Sequence, residues 1–483
     1  QSKGPFNKAK KLFPVTTASI NLKNGRIKTA AFEQALDHIQ IDADLVNKDG
    51  TLKNTRLNIK PISFQMADQP FTLKASIRNF ENIAYQVTSK GTVDIGKMYR
   101  LFAIKGYQVK GLIFTDLVLK GLQSDAMNGR YGKLQNSGRM TIKELNLQSD
   151  LFPRHFLIKN GIFSFHQDKM RFDEFNASYG QSDFKLNGHL NNVINYVLND
   201  KAKLKGSFKL ISNQILADEF MVYADPTTTG TAGSSGVILI PENLDITFTA
   251  NAKTVIYNGL SINDAKGTML IGNGALALKQ TGFNIAGAQV GMDANYKSTG
   301  TKSGLFDFHL TAKEFDIARA YKEIKLFREM ASSASKVKGL VGLDYQLSGK
   351  LNAEMFPVLP SLKGGGILSL KKISLMGFKM MNAVSKATKR DSLTNPDLSD
   401  VQIKSTIKNN VITIEQTKMK VAGFRPRFEG QVSLDGRLNL SARLGLPPFG
   451  IFGIPLSITG TQEKPIVKLK RNKEGKLVET EGG

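Results

Sequence analysis

Apolar and polar residues alternate with a period of two along most of this chain, in short runs separated by Gly, Asn and Asp. Successive side chains of a β-strand point to opposite faces, so this period predicts strands with one apolar and one polar face. Runs with the period of a helix are few. We therefore predict a mainly β protein built from antiparallel hairpins, with a few short amphipathic helices.

The dipeptide Asn24-Gly25 lies between two alternating runs near the start of the chain. Asn-Gly is typical of the two-residue type I′ turn, in which both central residues have positive φ. Such a turn would pair Leu22 with Ile27 and place the apolar side chains of both strands on one face. Ile20 would then pair with Thr29.

Three other segments carry local predictions. Around Asp435-Gly436 the apolar register requires Leu434 opposite Leu438, which predicts a three-residue connection with a bulge. Gly272-Asn273-Gly274 is flanked by alternating strands and is predicted to be a hairpin turn, not a phosphate-binding loop. The uncharged segment from Leu444 to Gly460 is too rich in Pro and Gly for a membrane-spanning helix, so it predicts turns and a strand.

A pattern in the first half of the chain recurs in the second half at an offset of 228 residues. Val109-Lys110-Gly111-Leu112 returns as Val337-Lys338-Gly339-Leu340. Further matches at this offset are Asp116 with Asp344, Leu119 with Leu347, Gly121 with Gly349, Leu134 with Leu362, Gly138 with Gly366, Ile142 with Leu370 and Leu147 with Leu375. A helical pattern that opens with Asp precedes each copy, from Asp94 to Phe102 and from Asp316 to Ala331. These matches predict two related repeats.

No known catalytic chemistry is visible in the sequence. The chain has no Cys, which excludes thiolate catalysis, Cys-ligated zinc and disulfides. None of the five His residues has a second ligand at the spacing of a metal site. Catalytic and nucleotide-binding motifs do not occur, and no carboxylate pair stands out as an acid and base. We therefore predict a protein that is not an enzyme and uses no cofactor or metal.

The chain is strongly basic. Lys and Arg number 66 against 41 Asp and Glu, so the net charge of +25 favours an anionic partner, either lipid headgroups or nucleic acid. The 29 Phe residues stand at apolar strand positions, where burial is a simpler interpretation than stacking on nucleobases. No RNA-recognition signature occurs. The net charge is then the only feature that supports a nucleic-acid partner, and we expect none.

A basic amphipathic helix is predicted from Met376 to Arg390. Its apolar residues are Met380, Met381, Val384 and Ala387, and its cations are Lys379, Lys386, Lys389 and Arg390. In one interpretation the helix contacts a membrane surface or forms a lid. In the other, it covers the open end of a sheet with its apolar side.

Several motifs follow one another in the C-terminal third. A Gly-rich stretch from Lys363 to Leu368 precedes the basic helix, and alternating strands then lead to Phe428 to Gly436. The most distinctive element is Gly453 to Thr461, followed by Lys464-Pro465. This order of motifs resembles the C-terminal region of the AsmA family. The resemblance extends from about residue 237 onward and includes the first half through the internal repeat.

The resemblance implies a long curved antiparallel sheet that forms an open hydrophobic groove. It also implies a location in the periplasm of a Gram-negative bacterium, with an N-terminal inner-membrane helix that is absent from this chain. The implied function is bridge-like lipid transfer that supports outer-membrane biogenesis, with phospholipid acyl chains held in the groove. The implied partners are phospholipid or another envelope lipid, the membrane surface and the outer-membrane assembly machinery.

Apolar positions of the alternating strands are then the candidate groove lining. They are Met140, Ile142, Leu145, Leu147, Leu368, Leu370, Phe428, Val432, Leu434, Leu438, Leu440 and Leu444. A second candidate function is a scaffold or regulator of outer-membrane protein assembly, which would pair client strands at its sheet edges. An open apolar face would favour lipid binding, whereas a filled core would favour the scaffold.

The predicted domain boundaries follow from the repeat and from one linker. The segment 225–236 is rich in Thr, Gly and Ser, which is typical of a flexible connection. We predict a first β-groove repeat at 1–224 and a second one at 237–470, which includes the AsmA-like region. A polar tail is predicted at 471–483.

Overall fold

The computed structural model confirms the mainly β fold class, with 67% of the structure in strands. It describes residues 1–7, 12–28, 35–66, 69–96, 107–149, 152–199, 201–222, 237–330, 332–375, 379–398, 400–447 and 449–470. The predicted linker at 225–236 and the predicted tail at 471–483 lie outside these residues. The described chain divides into two compact units.

Unit 1 comprises Gln1–Ile215, Pro241–Ala250 and Leu270–Gly274. Its strands are β1 (Ser2–Lys3), β2 (Val15–Ile27), β3 (Leu36–Asn47), β4 (Thr55–Met66), β5 (Gln69–Arg78), β6 (Ala84–Asp94), β7 (Tyr107–Leu122), β8 (Ser137–Ser149), β9 (Phe152–His166), β10 (Lys169–Tyr179), β11 (Ser182–Asn191) and β12 (Leu204–Leu216). Its helices are α1 (Gln123–Met127) and α2 (Val193–Leu198), with a 3-10 turn at Tyr131–Lys133. Strands β13 (Leu244–Tyr257) and β14 (Leu260–Gly272) contribute residues to both units.

Unit 2 comprises Leu216–Ile240, Asn251–Met269 and Ala275–Gly483. Its further strands are β15 (Ala275–Ile285), β16 (Ala288–Ser298), β17 (Gly304–Asp316), β18 (Val337–Leu351), β19 (Lys363–Leu375), β20 (Asp397–Leu398), β21 (Val401–Lys408), β22 (Val411–Lys418), β23 (Arg425–Ser433), β24 (Leu438–Gly445), β25 (Gly453–Gly460) and β26 (Pro465–Leu469). Its helices are α3 (Ile317–Glu323), α4 (Lys325–Met330) and α5 (Lys379–Thr388). The 3-10 turns are Ala217–Val222, Ser332–Lys336, Leu359–Ser361 and Asp391–Leu393.

Strands follow chain order in each unit. From β1 to β12, and again from β15 to β19, each strand pairs antiparallel with the strand before it. Strand β19 pairs with both β20 and β21, and the sequential pairing then continues to β26. Within the described part of each unit, strands that are not partners do not pack extensively on one another. Each unit is therefore a single-layer sheet.

The two hairpins that carry the predicted repeat share one register. Val109 pairs with Leu147 in β7 and β8, and Val337 pairs with Leu375 in β18 and β19. A bulge follows at the same place in both hairpins, at Gly111 and at Gly339. These two glycines have φ of 137° and 134°, and the residues opposite the bulges, Glu144 and Lys372, have φ of 48° and 50°. Each of these residues in the first hairpin precedes its counterpart in the second hairpin by 228 positions.

The connections of these hairpins also correspond. In the first, Leu134 follows the 3-10 turn Tyr131–Lys133, is 2% exposed and lies over Gly121. In the second, Leu362 follows the 3-10 turn Leu359–Ser361, is fully buried and lies over Gly349. A Cβ at either glycine would come within 3.0 Å of the leucine side chain. The correspondence is therefore three-dimensional as well as sequential.

The prediction of a hairpin at Asn24-Gly25 is wrong. Strand β2 continues through both residues, and Gly25 pairs with Ile39 of β3 across a shifted register. Asn24 has the positive φ expected of a turn, 52°, but here it belongs to a bulge. Its side chain hydrogen bonds to the His38 ring at 3.1 Å. Thr29, the predicted partner of Ile20, lies outside the described residues.

The turn at Asp435-Gly436 is partly as predicted. The Ser433 N–H donates to the Arg437 carbonyl at 2.9 Å, which leaves a three-residue connection between them. Gly436 has φ of 89° and supplies the bulge. The predicted pairing of Leu434 with Leu438 is wrong by two residues, because Leu438 pairs with Val432.

The other local predictions have mixed outcomes. The turn at Gly272-Asn273-Gly274 is confirmed, since Asn273 and Gly274 have φ of 54° and 71° and connect β14 to β15. The strand expected between Leu444 and Gly460 is confirmed as β25.

The two helices predicted ahead of the repeat have their own outcomes. Asp316 caps α3 by accepting the Arg319 N–H at 2.9 Å. The helix predicted from Asp316 to Ala331 is nevertheless broken, because Ile324 has extended backbone angles between α3 and α4. In the first copy, the predicted helix is described only as far as residue 96.

We expect Gly111→Ala and Gly339→Ala each to lower the free energy of unfolding by about 1–3 kcal/mol. At both positions φ favours glycine, and a Cβ would approach the facing strand to 2.5 Å at Gly111 and 2.4 Å at Gly339. Gly132→Ala is the control, because nothing lies within 4 Å of its Cβ position. Urea unfolding followed by circular dichroism measures the differences. Equal stability of all three variants would contradict a structural role for the two bulges.

A pH-dependent contribution to stability is expected from Asp183. Its carboxylate accepts the backbone N–H groups of Asn213 and Gln214, both at 2.8 Å, and the Ser212 hydroxyl at 3.2 Å. Burial acts to raise the pKa of Asp183, but these hydrogen bonds outweigh it and hold the pKa below its usual 3.8. The stability it contributes is therefore present above that value and lost as the pH falls through the lowered pKa.

Asp183→Asn should lower the free energy of unfolding at neutral pH by about 1 kcal/mol, a small value because the carboxylate is partly exposed. The difference from the parent protein should shrink as the pH falls below about 4. Urea unfolding at a series of pH values measures it. A difference that stays constant down to about pH 3 would show that the charge of Asp183 contributes nothing.

Candidate functional site

An apolar face runs across strands β7 to β12 of unit 1. Ile142 of β8 pairs with Ile113 of β7, and Met140 of β8 pairs with Phe163 of β9. Phe175 of β10 pairs with Leu186 of β11. All of these side chains belong to one apolar cluster, in which Ile142, Phe163 and Phe175 are buried. Alternation in the sequence thus places one continuous apolar set on one side of the sheet.

Five phenylalanines form a row on this face. The Phe163 and Phe172 ring centroids are 4.8 Å apart, and those of Phe172 and Phe208 are 4.9 Å apart, both edge to face. Phe248 stacks on Phe208 at 5.5 Å, and Phe175 lies 5.5 Å from Phe172. Such ring pairs contribute about 0.5–1.5 kcal/mol each beyond the area they bury. We call these five residues the phenylalanine row.

Gly188 makes room for this row. It lies in β11 opposite both Phe172 of β10 and Phe208 of β12. A Cβ at this position would come within 2.7 Å of the Phe208 ring and 2.2 Å of the Ser207 carbonyl oxygen. Glycine is therefore required here, and the rings of the neighbouring strands meet over it.

Much of the apolar face remains accessible. Half-buried members of the cluster are Ile113, Met140, Leu145, Phe156, Phe165, Met170, Phe172 and Leu186. In the described part of unit 1, no second sheet packs on these side chains, and α1 and α2 contact chiefly each other and β7. Phe163, Phe175 and Phe208 of the row are buried, and the half-buried side chains around them leave a surface that an apolar ligand can cover.

The predicted groove residues of unit 1 lie on this face. Met140, Ile142 and Leu145 belong to the apolar cluster of unit 1, and Ile142 is the buried one. Leu147 is half-buried and pairs with Val109 and Phe156. The sequence prediction did not include the phenylalanine row. The sequence did contain the information needed to find it, because the five phenylalanines stand at the apolar positions of the alternating pattern in β9, β10, β12 and β13.

The predicted groove residues of unit 2 lie mostly in a filled core. Val432, Leu438, Leu440 and Leu444 are 9%, 8%, 4% and 2% exposed, in one cluster with residues from β18 to β25. Leu368 and Leu370 pack against this cluster and are half-buried. Leu434 packs instead against a second cluster of Leu347, Leu362 and Ile407, and the half-buried Phe428 pairs with Ala442. Few of these side chains could be reached by a ligand.

Helix α5 covers part of this core. Val384 is buried in it, and Met380 and Met381 pack against it from outside. Lys379 forms an ion pair with Glu463. The cations Lys386, Lys389 and Arg390 are exposed. The contacts are those of a helix that covers a sheet with its apolar side, and a membrane contact by this helix stays a prediction. Met376, the predicted start of the helix, lies outside the described residues.

A wide trough in unit 2 lies on the polar side of the sheet instead. Its lining includes Lys266, Lys313, Lys371, Asp264, Glu314 and Asp344. Charges of both signs in such a trough favour water and ions over acyl chains. The trough is therefore not part of the candidate lipid site.

The most deeply buried carboxylate of unit 1 has a structural explanation. Asp168 is 4% exposed and accepts the backbone N–H groups of Asn192 and Ile194 at the start of α2. Burial raises the pKa of Asp168, and these hydrogen bonds only partly offset the rise. The carboxylate therefore holds α2 against the turn between β9 and β10.

Among the described residues, no three His, Asp or Glu side chains gather where they could hold a metal ion. The His309 ring is 2.7 Å from an Asp344 carboxylate oxygen, and the His155 ring hydrogen bonds to the Asn146 side chain at 3.1 Å. None of the described helices is long and apolar enough to cross a membrane.

No family model, curated protein or solved structure matches this chain. The resemblance to the AsmA family therefore stays a prediction.

The two groups of predicted groove residues should respond differently to truncation. Leu440→Ala should lower the free energy of unfolding by about 2–5 kcal/mol, because it opens a cavity in a filled core. Leu145→Ala should cost less than about 2 kcal/mol, because its side chain is only partly buried. Urea unfolding monitored by circular dichroism compares them. A larger loss at Leu145 than at Leu440 would contradict the distinction between an open face and a closed core.

Proposed function

We propose that this chain is a non-enzymatic lipid-binding and lipid-transfer protein of the bacterial envelope. In this proposal the apolar face of unit 1 holds phospholipid acyl chains and so supports outer-membrane biogenesis. The observation that carries the proposal is the set of half-buried apolar side chains around the phenylalanine row, on which no second sheet of the described part of unit 1 packs. The resemblance to the AsmA family supports the same function independently.

The energetics favour an acyl chain as the ligand. Each methylene group that leaves water for an apolar surface contributes roughly 0.8 kcal/mol, so ten of them would contribute about 8 kcal/mol before the costs of association. Rings and branched side chains contact a flexible chain without directional bonds. An acyl chain could therefore shift along the face from strand to strand at little cost, which suits transfer. Positive charge elsewhere on the chain would attract anionic headgroups.

The proposal predicts direct contact between acyl chains and β8. The chain contains no Trp, so a single introduced Trp is an unambiguous reporter. Met140→Trp places the indole on the apolar face, and Thr141→Trp places it on the opposite face of the same strand. Phospholipids brominated on their acyl chains should quench most of the Met140→Trp fluorescence and little of the Thr141→Trp fluorescence.

Native mass spectrometry of the purified parent protein gives a second test. Bound phospholipid should be present, and Phe172→Lys should reduce its amount, because a charge in the phenylalanine row would have to be desolvated. Asp173→Lys, on the opposite face of β10, is the matched control and should retain lipid. Lipid-free parent protein, together with equal quenching of the two Trp variants, would refute the proposal.

A scaffold for outer-membrane protein assembly is the second candidate function. Two observations favour it: the filled core of unit 2, and the outer edge of β26, where Ile466 and Leu469 are 51% and 42% exposed. Among the described residues, only β25 pairs with β26. This function predicts no acyl-chain quenching at Met140→Trp. It also predicts that Val467→Pro, which removes a backbone donor, weakens retention of client strands.

A further inference from the structure

Three large apolar side chains project into solvent between β24 and β25. Phe449, Ile451 and Phe452 are 70%, 69% and 60% exposed. We call these three residues the apolar tip. Scattered exposed apolar residues are ordinary on protein surfaces, but three in a segment of four residues form a patch that a partner commonly covers.

The backbone under the apolar tip is held in place. The Leu446 N–H donates to the Phe452 carbonyl at 2.7 Å, and the Gly450 N–H donates to the Leu446 carbonyl at 2.8 Å. The Arg443 guanidinium of β24 donates to the Gly450 carbonyl at 3.1 Å and also to the Ile451 carbonyl. The side chains are therefore exposed on an ordered support, which lowers the entropic cost of binding.

Cations lie on the strands beside the apolar tip. Arg425 packs its alkyl chain over Gly450, and Arg427 pairs with Arg443 across β23 and β24. Lys418 pairs with Arg427 in the next strand, and the Lys470 ammonium donates to the Ser441 hydroxyl of β24 at 2.9 Å. The ion pairs in this part of unit 2 lie elsewhere, at Lys379 with Glu463, Lys404 with Glu415 and Arg437 with Asp435. Within the described residues, Arg425, Arg427 and Lys418 have no carboxylate at ion-pair distance.

We propose that the apolar tip inserts into the interfacial region of an anionic phospholipid bilayer, with Arg425, Arg427 and Lys418 against the headgroups. Phenylalanine and isoleucine side chains beside arginine and lysine are the combination that binds such interfaces. Three side chains are too few for the roughly 1,000 Å² of a stable protein interface, whereas a bilayer accepts a small insertion. This inference extends the proposed function by naming a membrane contact. It requires no acyl chain on unit 1.

Vesicle flotation tests the insertion. The full chain should float with vesicles of equal parts phosphatidylglycerol and phosphatidylcholine, and less with phosphatidylcholine alone. The triple substitution Phe449→Ser, Ile451→Ser and Phe452→Ser should weaken binding at least about tenfold. Arg425→Gln with Arg427→Gln should weaken binding to the anionic vesicles by about fivefold per cation, and added salt should remove that difference. Leu305→Ser is the control, because Leu305 is 44% exposed in β17, away from the tip.

A fluorescence measurement keeps the test valid if the triple variant folds poorly. The emission of Phe452→Trp should shift to shorter wavelength on anionic vesicles. No shift, or binding of the triple variant equal to that of the parent, would overturn the proposal. A dimer in sedimentation that only the triple variant breaks would assign the tip to a second copy instead and would also overturn it. Quenching of Met140→Trp by brominated lipid in detergent should survive the tip substitutions, so the two proposals can fail separately.

Discussion

Hydrogen bonding between consecutive strands is the interaction on which the rest of this structure depends. Each strand finds its partner in the strand before or after it, so the sheet of each unit grows in one direction as a single layer. A single layer has no second sheet to cover its apolar side. That side must therefore be buried by its own neighbours, by short helices or by a ligand. Unit 1 leaves much of it accessible around the phenylalanine row, whereas unit 2 covers part of it with α5.

Glycines and bulges adapt this layer locally. The bulges at Gly111 and Gly339 break the alternation at one point in each hairpin and restore it beyond. Gly188 has a different role, because it lets the rings of two neighbouring strands meet. The shared register, the shared bulge and the matching contacts of Leu134 and Leu362 are what duplication of a hairpin would leave. A common origin of the two hairpins is our interpretation of that correspondence.

Alternation predicted the fold class because the period of a strand is visible residue by residue. It also located the apolar parity of β8 and β24 correctly, as the burial of Ile142 and Leu440 indicates. It did not distinguish a turn from a bulge at Asn24-Gly25, since both need positive φ and the same residues satisfy either. Alternation also did not separate the accessible face from the filled core. That difference depends on what packs above the sheet, and residues distant in sequence decide it.

The exposure of Phe449, Ile451 and Phe452 was equally invisible in the sequence. The segment from Leu444 to Gly460 carries no charge, and its sequence pattern does not distinguish buried from exposed residues. Only the structure separates the buried Leu444 and Leu456 from the exposed tip between them. Arg443 supports the backbone of the exposed loop, since its guanidinium donates to the carbonyl groups of Gly450 and Ile451.

The sequential pairing of strands has a consequence for folding. Since strand partners are neighbours in the chain, contacts close short loops, and the entropy lost at each step is small for a β protein. Folding can then begin at any stable hairpin and proceed by addition of strands at either side, as in linear repeat proteins.

The sequential pairing of strands also lets the length of the sheet vary during evolution. Gain or loss of one hairpin changes a sheet by two strands, about 10 Å, and disturbs only the pairings on either side of it.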